Sequence, residues 1–166
     1  MRFAELAMPL FDQLYNFAHW LTQDRSEADD LVQETYAKAL RGFSSFQPGT
    51  NFRAWIYRIL RNTFLTSRTG LKAAVMTVEL DEATDELAVT DTPESIFIDQ
   101  SQQQILQEAI GALPLHYREV VLLCDVEEMS YKEIAETLAI PVGTVMSRLA
   151  RARRELRQEL QAKLVG

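Results

Sequence analysis

Apolar residues in the N-terminal third of the chain recur every three or four positions, the spacing of one buried face of an α-helix. One such stripe comprises Phe3, Leu6, Leu10, Phe11, Leu14, Ala18 and Leu21. A second comprises Ala28, Leu31, Val32, Thr35, Ala39 and Phe43. A third comprises Phe52, Trp55, Ile56, Ile59 and Thr63. We therefore predict three helices, with Ser26 and Asp29 capping the second and a loop of turn-forming residues at 44–51 before the third.

Helix signals return near residue 92. The residues TPE at 92–94 supply an N-cap, a proline at the first helical position and an acid in the first turn. A helix is therefore predicted from there to Gly111. Another is predicted to begin at residues 113–114 and to carry the apolar run 120–124 into the core.

The last third of the chain has the pattern of a helix-turn-helix. The residues SYKE at 130–133 are a capping box that opens a short helix ending near Leu138, and a turn at 139–143 precedes a long helix. The apolar stripe of that long helix comprises Val145, Leu149, Ala152, Leu156 and Leu160. The face opposite is assigned Thr144, Ser147, Arg148, Arg151 and Arg154. An anchored helix with hydroxyls and guanidiniums on its free face is suited to reading the major groove of DNA. The alternative is a solvated, arginine-rich face on a helical hairpin.

No segment has the alternating pattern of a β-strand, so the predicted fold is all-α with two small helical domains. The first domain spans residues 1–71 and is a three-helix bundle. The second spans 92–166 and contains the helix-turn-helix. Residues 72–91 are acidic, lack clear periodicity and are interpreted as a linker.

Composition limits the class of protein. The chain has 166 residues, of which 47% are hydrophobic, and no apolar run approaches the ~20 residues needed to cross a bilayer. The N-terminus has helical spacing rather than the pattern of a signal peptide, so a soluble, cytoplasmic protein without membrane insertion is expected. The single cysteine, Cys124, lies in an apolar run and is assigned to core packing. His19 and His116 have no partners at ligand spacing, so neither a metal nor a cofactor is predicted.

Charge is distributed unevenly along the chain. The net charge of −7 argues against nucleic acid as a partner. However, residues 52–72 contain five basic residues and no acid, and residues 77–99 contain eight acids and no base. From Ser130 onward, seven basic residues outnumber four acids. Two basic segments thus flank an acidic one, and the basic segments remain candidates for DNA binding.

Four motifs follow one another in the chain and cover nearly all of it outside the linker. They are EADDLVQETY at 27–36, NFRAWIYRILRN at 51–62, LPLHYREV at 113–120 and AIPVGTVMSRLARAR at 139–153. In this order and spacing they resemble the motifs of extracytoplasmic-function (ECF) sigma factors, a compact subgroup of the sigma-70 family of bacterial RNA polymerase sigma factors. Four ordered motifs are far more specific than a helix-turn-helix alone.

The resemblance implies a sigma factor, without enzymatic activity, that binds core RNA polymerase and directs promoter-specific initiation. The first domain would be sigma region 2 and the second would be sigma region 4, which reads the minus-thirty-five element. The second helix would bind the clamp coiled coil of the largest polymerase subunit. Its polar face comprises Asp30, Gln33, Glu34, Lys38 and Arg41. An ordinary solvated face is the alternative for these residues.

The resemblance also implies that residues 44–62 recognise and melt the minus-ten element. Phe46 offers a stacking surface for a flipped base, and Asn62 offers an amide for a base edge. The phosphates would be contacted by Arg58, Arg61 and Arg68. Phe46 could instead cap the small core, and Trp55 is assigned to packing. Family members are usually controlled by an anti-sigma factor, so promoter DNA, core polymerase and an anti-sigma factor are the expected partners.

Three other functions compete with this interpretation. A plain helix-turn-helix regulator would account for residues 130–154 but not for the N-terminal motifs. A sigma-like decoy for an anti-sigma factor should have lost its basic DNA-facing residues, whereas Arg58, Arg61, Arg148 and Arg151 remain. An enzyme would need a nucleophile–base pair, a metal cluster or a phosphate loop, and the sequence offers none of them.

Overall fold

A computed structural model describes residues 2–69 and 100–165, without the side chains of residues 68, 69, 100, 101 and 165. The helices of the N-terminal half are α1 (Phe3–Ala7), α2 (Phe11–Thr22), α3 (Arg25–Gly42) and α4 (Phe52–Thr69). Those of the C-terminal half are α5 (Gln100–Ala112), α6 (Leu115–Val121), α7 (Tyr131–Leu138) and α8 (Val142–Val165). Regular structure in the described residues is entirely helical, which confirms the all-α prediction. The predicted linker and the predicted helix start at residue 92 lie outside the described residues.

The first helix is interrupted, whereas the apolar stripe predicted it to be continuous. A short 3-10 turn, Met8–Leu10, separates α1 from α2. Pro9 explains the break, because proline lacks the N–H that would continue the α-helical ladder and its ring clashes with the preceding turn. The hydroxyl of Tyr36 donates a hydrogen bond to the carbonyl of Ala7 at 2.7 Å, which fastens the end of α1 to α3.

The cap of α3 also differs from the prediction. Gln23 ends α2 in the left-handed conformation, with φ 61°, so the chain turns sharply after α2. The Asp24 carboxylate then accepts hydrogen bonds from the backbone N–H groups of Ser26 and Glu27, at 2.8 and 3.0 Å. Ser26 is thus inside the helix, and the prediction that it caps α3 was wrong by two residues.

The C-terminal half begins its helices close to the predicted positions. Pro114 is the N-cap of α6, and the Ser130 hydroxyl accepts a hydrogen bond from the Glu133 N–H at 3.0 Å at the start of α7. Helix α7 ends at Leu138 because Ala139 adopts the left-handed conformation. Between α6 and α7 lies one turn of π-helix, Leu122–Val126, a rare geometry that often marks a functional position.

One continuous hydrophobic core joins the two halves. Its buried residues in the N-terminal half include Leu14, Phe17, Leu21, Leu31, Ile56 and Leu60. Those in the C-terminal half include Val120, Leu122, Leu123, Ile134 and Leu149. Helix α4 packs against α7 across this boundary. The sequence predicted two domains joined by a linker and gave no indication that the domains pack against each other.

Two smaller predictions about packing are confirmed. Trp55 packs against Phe43 and Phe52. Cys124 is half-buried against the core, and burial raises the pKa of its thiol. Among the described helices, none is both long and apolar enough to cross a membrane.

Candidate DNA and polymerase interfaces

Helix α8 is anchored by a buried apolar stripe, and some of its basic residues lie on the opposite face. Val145, Leu149 and Ala152 are buried against α6 and α7, as predicted. Ser147, Arg151 and Arg154 lie about half a helical turn away from this stripe, given 3.6 residues per turn. Arg154 is exposed, whereas Ser147 and Arg151 are half-buried.

Arg148 was predicted on the free face of α8, and this prediction is wrong. Its exposure is only 3%. The reason is helical geometry: residue 148 follows Val145 by three positions and precedes Leu149 by one, so it flanks the apolar stripe rather than opposing it. Thr144, predicted to face DNA as well, is half-buried at the first turn of α8, and its carbonyl accepts a hydrogen bond from the Ser147 hydroxyl at 3.3 Å.

The basic face of α4 contacts the C-terminal half of the chain. Arg53 forms an ion pair with Glu133 of α7, with 3.3 Å between Nε and Oε2. Arg58 donates a hydrogen bond from Nη2 to the backbone carbonyl of Glu136, at 2.5 Å. Arg58 was predicted to contact DNA phosphates. In this structure both arginines contact α7 instead.

Arg61 makes the most buried of these contacts. Its Nε and Nη2 atoms donate to the two carboxylate oxygens of Glu119, at 2.9 and 3.2 Å. The Glu119 side chain is fully buried and that of Arg61 is 12% exposed. Asn62 remains exposed, and its amide oxygen accepts a hydrogen bond from Arg61 at 3.4 Å. The Arg68 side chain lies outside the described residues.

A second carboxylate reaches α4 from the π-turn. Glu127 accepts a hydrogen bond from the Tyr57 hydroxyl at 2.7 Å, and its backbone carbonyl accepts one from Arg53. Burial raises the pKa of Glu127, despite the opposing effects of the Tyr57 hydrogen bond and the Arg53 charge. Burial, together with the negative charge of Glu127, also raises the pKa of Tyr57.

Glu119, Glu127 and Tyr57 were missed by the sequence reasoning. One signal was available, because Glu119 directly precedes the apolar run that begins at Val120. A carboxylate at the edge of a buried run needs a cation or hydrogen-bond donors, and the acid-free segment 52–72 is the richest source of them in the N-terminal half.

Phe46 is half-buried in a cluster of aromatic rings. Its ring lies 5.9 Å from that of Phe43, 5.3 Å from that of Phe52 and 5.1 Å from that of Trp55, measured between centroids. Of the two interpretations left open, capping the small core describes this structure. The ring nevertheless borders an apolar cavity of about 520 Å³. That cavity is lined by Leu6, Phe43, Phe46, Pro48, Gly49 and Phe52.

The polar face of α3 is exposed over most of its predicted extent. Asp30, Gln33, Glu34 and Arg41 are exposed. Lys38 is half-buried and donates a hydrogen bond to the Thr63 hydroxyl of α4 at 3.3 Å. Beside this face, a groove of about 600 Å³ between α3 and α4 is lined by three acids, Glu27, Asp30 and Glu34. In the part of the chain that the structure describes, no group of His, Cys, Asp and Glu side chains could hold a metal ion.

Comparisons with known proteins match both halves. The family described as Sigma-70 region 2 matches residues 6–73, and that described as Sigma-70 region 4 matches residues 103–156. The ECF RNA polymerase sigma-E factor of Haemophilus influenzae is 33% identical over 145 residues, which cover 82% of this chain and 76% of that protein. This chain belongs to the ECF sigma factors of the sigma-70 family.

Two further comparisons extend over nearly the whole sigma factor. The ECF RNA polymerase sigma factor SigE of Mycolicibacterium smegmatis is 38% identical over 157 residues; these cover 94% of this chain but only 60% of that relative. The sigma factor RpoE of Bartonella quintana, solved with the anti-sigma factor NepR, superposes with a TM-score of 0.73. It is 30% identical, and the match covers 96% of each chain.

The two matched regions contain the candidate residues of this sigma factor. The α3 face, the Phe46 cavity and the basic face of α4 lie in region 2, whereas α7 and the N-terminal half of α8 lie in region 4. The contacts of Arg61 with Glu119 and of Tyr57 with Glu127 therefore join region 2 to region 4.

Proposed function

We propose that this sigma factor binds core RNA polymerase in the cytoplasm and, without enzymatic activity of its own, directs it to specific promoters. The observation that carries the proposal is the presence in one chain of both sigma-70 regions, each with a basic helix suited to DNA. A plain helix-turn-helix regulator would have no use for region 2. The proposed domains are region 2 at 1–71, a linker at 72–91 and region 4 at 92–166.

Polymerase binding is assigned to the polar face of α3. The exposed acids Asp30 and Glu34 suit a basic helix of the clamp coiled coil in the largest polymerase subunit, and Gln33 and Arg41 extend the same face. Charges at such a rim set register and encounter rate. Lys38 has a second role here, since it bridges to α4 and holds the groove wall in place.

Upstream promoter reading is assigned to α8 through Ser147, Arg151 and Arg154, with Thr144 at the first turn. Arginine can bind guanine O6 and N7 or a phosphate through two hydrogen bonds, and serine and threonine reach phosphates and base edges. Arg148 is not included, because its buried position suits bracing of the helix rather than contact with DNA.

Minus-ten recognition is assigned to the start of α4. The apolar cavity beside Phe46 is bordered by aromatic rings on which a flipped base could stack. Asn62 presents an exposed amide to a base edge, and Arg58, Arg61 and Arg68 would follow the phosphates. Unstacking a base costs a few kcal/mol, which capture in the cavity would offset.

Control by an anti-sigma factor is the expected regulation. The solved structure of RpoE from Bartonella quintana is a complex with such a factor, NepR. Its likeness to this chain over both regions supports the same kind of partner here.

Run-off transcription with core polymerase over a genomic promoter library is the most direct test. The chain should produce discrete transcripts whose start sites share an upstream and a minus-ten element. Arg151→Ala/Arg154→Ala should lose transcription from these promoters while still assembling with polymerase. Absence of specific transcripts, together with tight binding to an anti-sigma factor, would instead identify a decoy.

A further inference from the structure

Two large apolar side chains are exposed at the start of α8, the helix assigned to upstream promoter reading. Val142 is 41% exposed and Met146 is 38% exposed. They are four residues apart in the helix, so their side chains are neighbours on its surface. Further along the same side of the helix, Arg153 returns to the protein, with 2.7 Å between its Nη2 atom and Oδ1 of Asp125. The exposed apolar surface is therefore confined to the first turns of α8.

This apolar pair borders the polar face of α8. Successive residues of an α-helix are about 100° apart around its axis. Met146 is thus about 100° from the buried Val145 in one direction and about 100° from Ser147 in the other. Single exposed apolar residues are common on protein surfaces, but Val142 and Met146 adjoin each other and the face that was assigned to DNA. They extend that face with a surface that cannot form hydrogen bonds to bases or phosphates.

Gly143, the residue that follows Val142, gives a second indication of a partner at this position. A Cβ atom built on Gly143 would meet nothing within 4 Å. Gly143 also lies inside the helix, so its backbone conformation is open to any residue. Neither packing nor conformation requires glycine here, although glycine destabilises a helix relative to alanine. A partner that approaches the backbone of the first turn closely accounts for the missing side chain.

The major groove of DNA suits this surface better than a second copy of the chain does. Arg151 and Arg154 lie one to two turns beyond Met146 and supply the positive charge that phosphates attract. A second copy would instead bring two arginine-rich helices together. In the major groove, the C5 methyl group of thymine is the apolar feature of the bases, and the N-terminal residues of a recognition helix contact base edges. Val142 and Met146 occupy those N-terminal positions.

We propose that Val142 and Met146 contact thymine methyl groups in the upstream promoter element, so that this sigma factor selects A·T pairs at the positions that face them. The inference deepens the proposed function and rests on it, because it takes α8 as the promoter-reading helix. Val142 is β-branched and presents a rigid surface in a helix, whereas Met146 is flexible and adapts to the position of a methyl group. Contacts to phosphates position the helix, and the apolar pair adds a preference for particular bases.

Replacement of thymine by uracil tests this directly, because it removes the methyl group and leaves the hydrogen-bonding groups of the base in place. The template is a promoter obtained by run-off transcription, with uracil substituted at one upstream position at a time. Competition binding measures the affinity of the reconstituted holoenzyme for each duplex. Wild type should lose about fourfold in affinity at the positions that face Val142 or Met146, which corresponds to burial of one methyl group, about 0.8 kcal/mol.

Variants of the apolar pair assign the effect to its side chains. Met146→Ala should bind the thymine promoter about fourfold more weakly and should lose the sensitivity to uracil at one position. Met146→Leu keeps an apolar side chain and should retain this sensitivity. Val142→Ala should lose the sensitivity at a neighbouring position. Leu164→Ala is the matched control, because Leu164 is 62% exposed near the other end of the same helix, and it should discriminate thymine from uracil like wild type.

Gly143→Ala tests the close approach independently. The added methyl group meets no atom of the chain, so the melting temperature should not fall. Affinity for thymine and uracil templates should decrease alike, because the side chain holds the first turn away from the bases. Wild-type affinity in Gly143→Ala would contradict the close approach on which the methyl contacts depend.

Three outcomes would overturn the proposal. They are an upstream element without A·T pairs, a wild type that is insensitive to uracil at every upstream position, and a sensitivity that persists unchanged in both Met146→Ala and Val142→Ala. Loss of holoenzyme assembly in Met146→Ala would also overturn it, since the side chain would then contact polymerase. In each case wild type still produces specific transcripts, whereas failure of the proposed function yields no specific promoter, so the two failures are distinguishable.

Discussion

Helices α3 and α4 have the same length of 18 residues and pack against each other. Their outer faces differ, because that of α3 is exposed to solvent whereas that of α4 contacts region 4. The face of α3 assigned to polymerase is exposed at Asp30, Gln33 and Glu34. The face of α4 assigned to DNA is bound by region 4 through Arg58 and Arg61. The arginines of α4 are therefore engaged within the chain, whereas these side chains of α3 are exposed to solvent.

The distribution of charged residues helps to explain why region 4 packs against α4 rather than α3. The segment 52–72 has five basic residues and no acid, whereas α3 carries four acids, Glu27, Asp29, Asp30 and Glu34, against three basic residues. The carboxylates of Glu119 and Glu127 accept hydrogen bonds from Arg61 and Tyr57 of α4. The basic face of α4 therefore attracts the acids of region 4 by the same electrostatics that would attract DNA phosphates.

The largest expected effect concerns α3. Asp30→Lys/Glu34→Lys should weaken assembly with core polymerase by about a hundredfold, because like-charge contacts at an interface cost several kcal/mol. The melting temperature should change little, since both residues are exposed and the Glu34–Lys38 pair, at 3.9 Å, is a weak surface pair. Surface plasmon resonance with immobilised polymerase measures the affinity.

A matched control for this charge reversal is available in region 4. Glu108→Lys/Glu155→Lys makes the same change in net charge at exposed positions away from α3. It should bind polymerase like wild type. If both double variants lost affinity equally, the effect would reflect overall charge and the assignment of α3 would fail.

The next effect concerns the aromatic cavity at the start of α4. Phe46→Ala should lower open-complex occupancy roughly ten- to a hundredfold, because loss of one stacked base costs about 1–3 kcal/mol. Permanganate reactivity of promoter thymines reports the opening. Phe11→Ala, an exposed aromatic on α2, should leave opening unchanged. A template with a pre-opened bubble should largely rescue Phe46→Ala, and failure of the rescue would assign Phe46 to packing alone.

The sequence was sufficient for the helices because their signals are local. The apolar stripe of α8 and the Ser130 cap of α7 depend only on residues within one or two turns, and both were predicted correctly. Errors arose where two local signals competed. Asp24 rather than Ser26 caps α3, because the left-handed conformation of Gln23 turns the chain sharply and α3 begins at Arg25, two residues earlier than predicted.

The candidate site was harder to predict because its decisive contacts are distant in the chain. Arg61 and Glu119 are 58 residues apart, and Tyr57 and Glu127 are 70 apart. Periodicity places a side chain on a face but does not say which other face covers it. The sequence therefore identified the residues of α4 that suit DNA and could not show that region 4 occupies them.

A smaller effect is expected at Asn62, the exposed polar residue of the same helix. Asn62→Ala should relax base preference at one promoter position while leaving polymerase assembly unchanged, because it removes one amide from a base edge at a cost of about 1 kcal/mol. A competition assay over promoters randomised in the minus-ten element measures the preference. Gln33→Ala, which removes an amide from the α3 face, is the control and should leave base preference intact. Unaltered selectivity in Asn62→Ala would contradict the assignment.

The smallest effect is a dependence of the stability of the folded chain on pH through Glu127. Its pKa is raised above the ordinary 4.5, mainly by burial, so the folded chain binds a proton more readily there than the unfolded chain. This contribution to stability is present in full below about 4.5 and is lost as the pH rises through the raised value. Other charges around Glu127 are Arg53, Glu133, Asp12 and Glu128.

Urea unfolding of wild type and Glu127→Gln at a series of pH values isolates this contribution from the remaining acids of the chain. Glutamine keeps an oxygen for the Tyr57 hydroxyl but cannot ionise. The free energy of unfolding of wild type relative to the variant should therefore increase as the pH falls from neutral toward the ordinary carboxyl pKa of 4.5, because Glu127 loses its buried charge on the way. A difference that stays constant, or that grows with rising pH, would show that the pKa of Glu127 is not raised in the folded chain. Tyr57 and Arg53 would then fully offset the effect of burial on its charge.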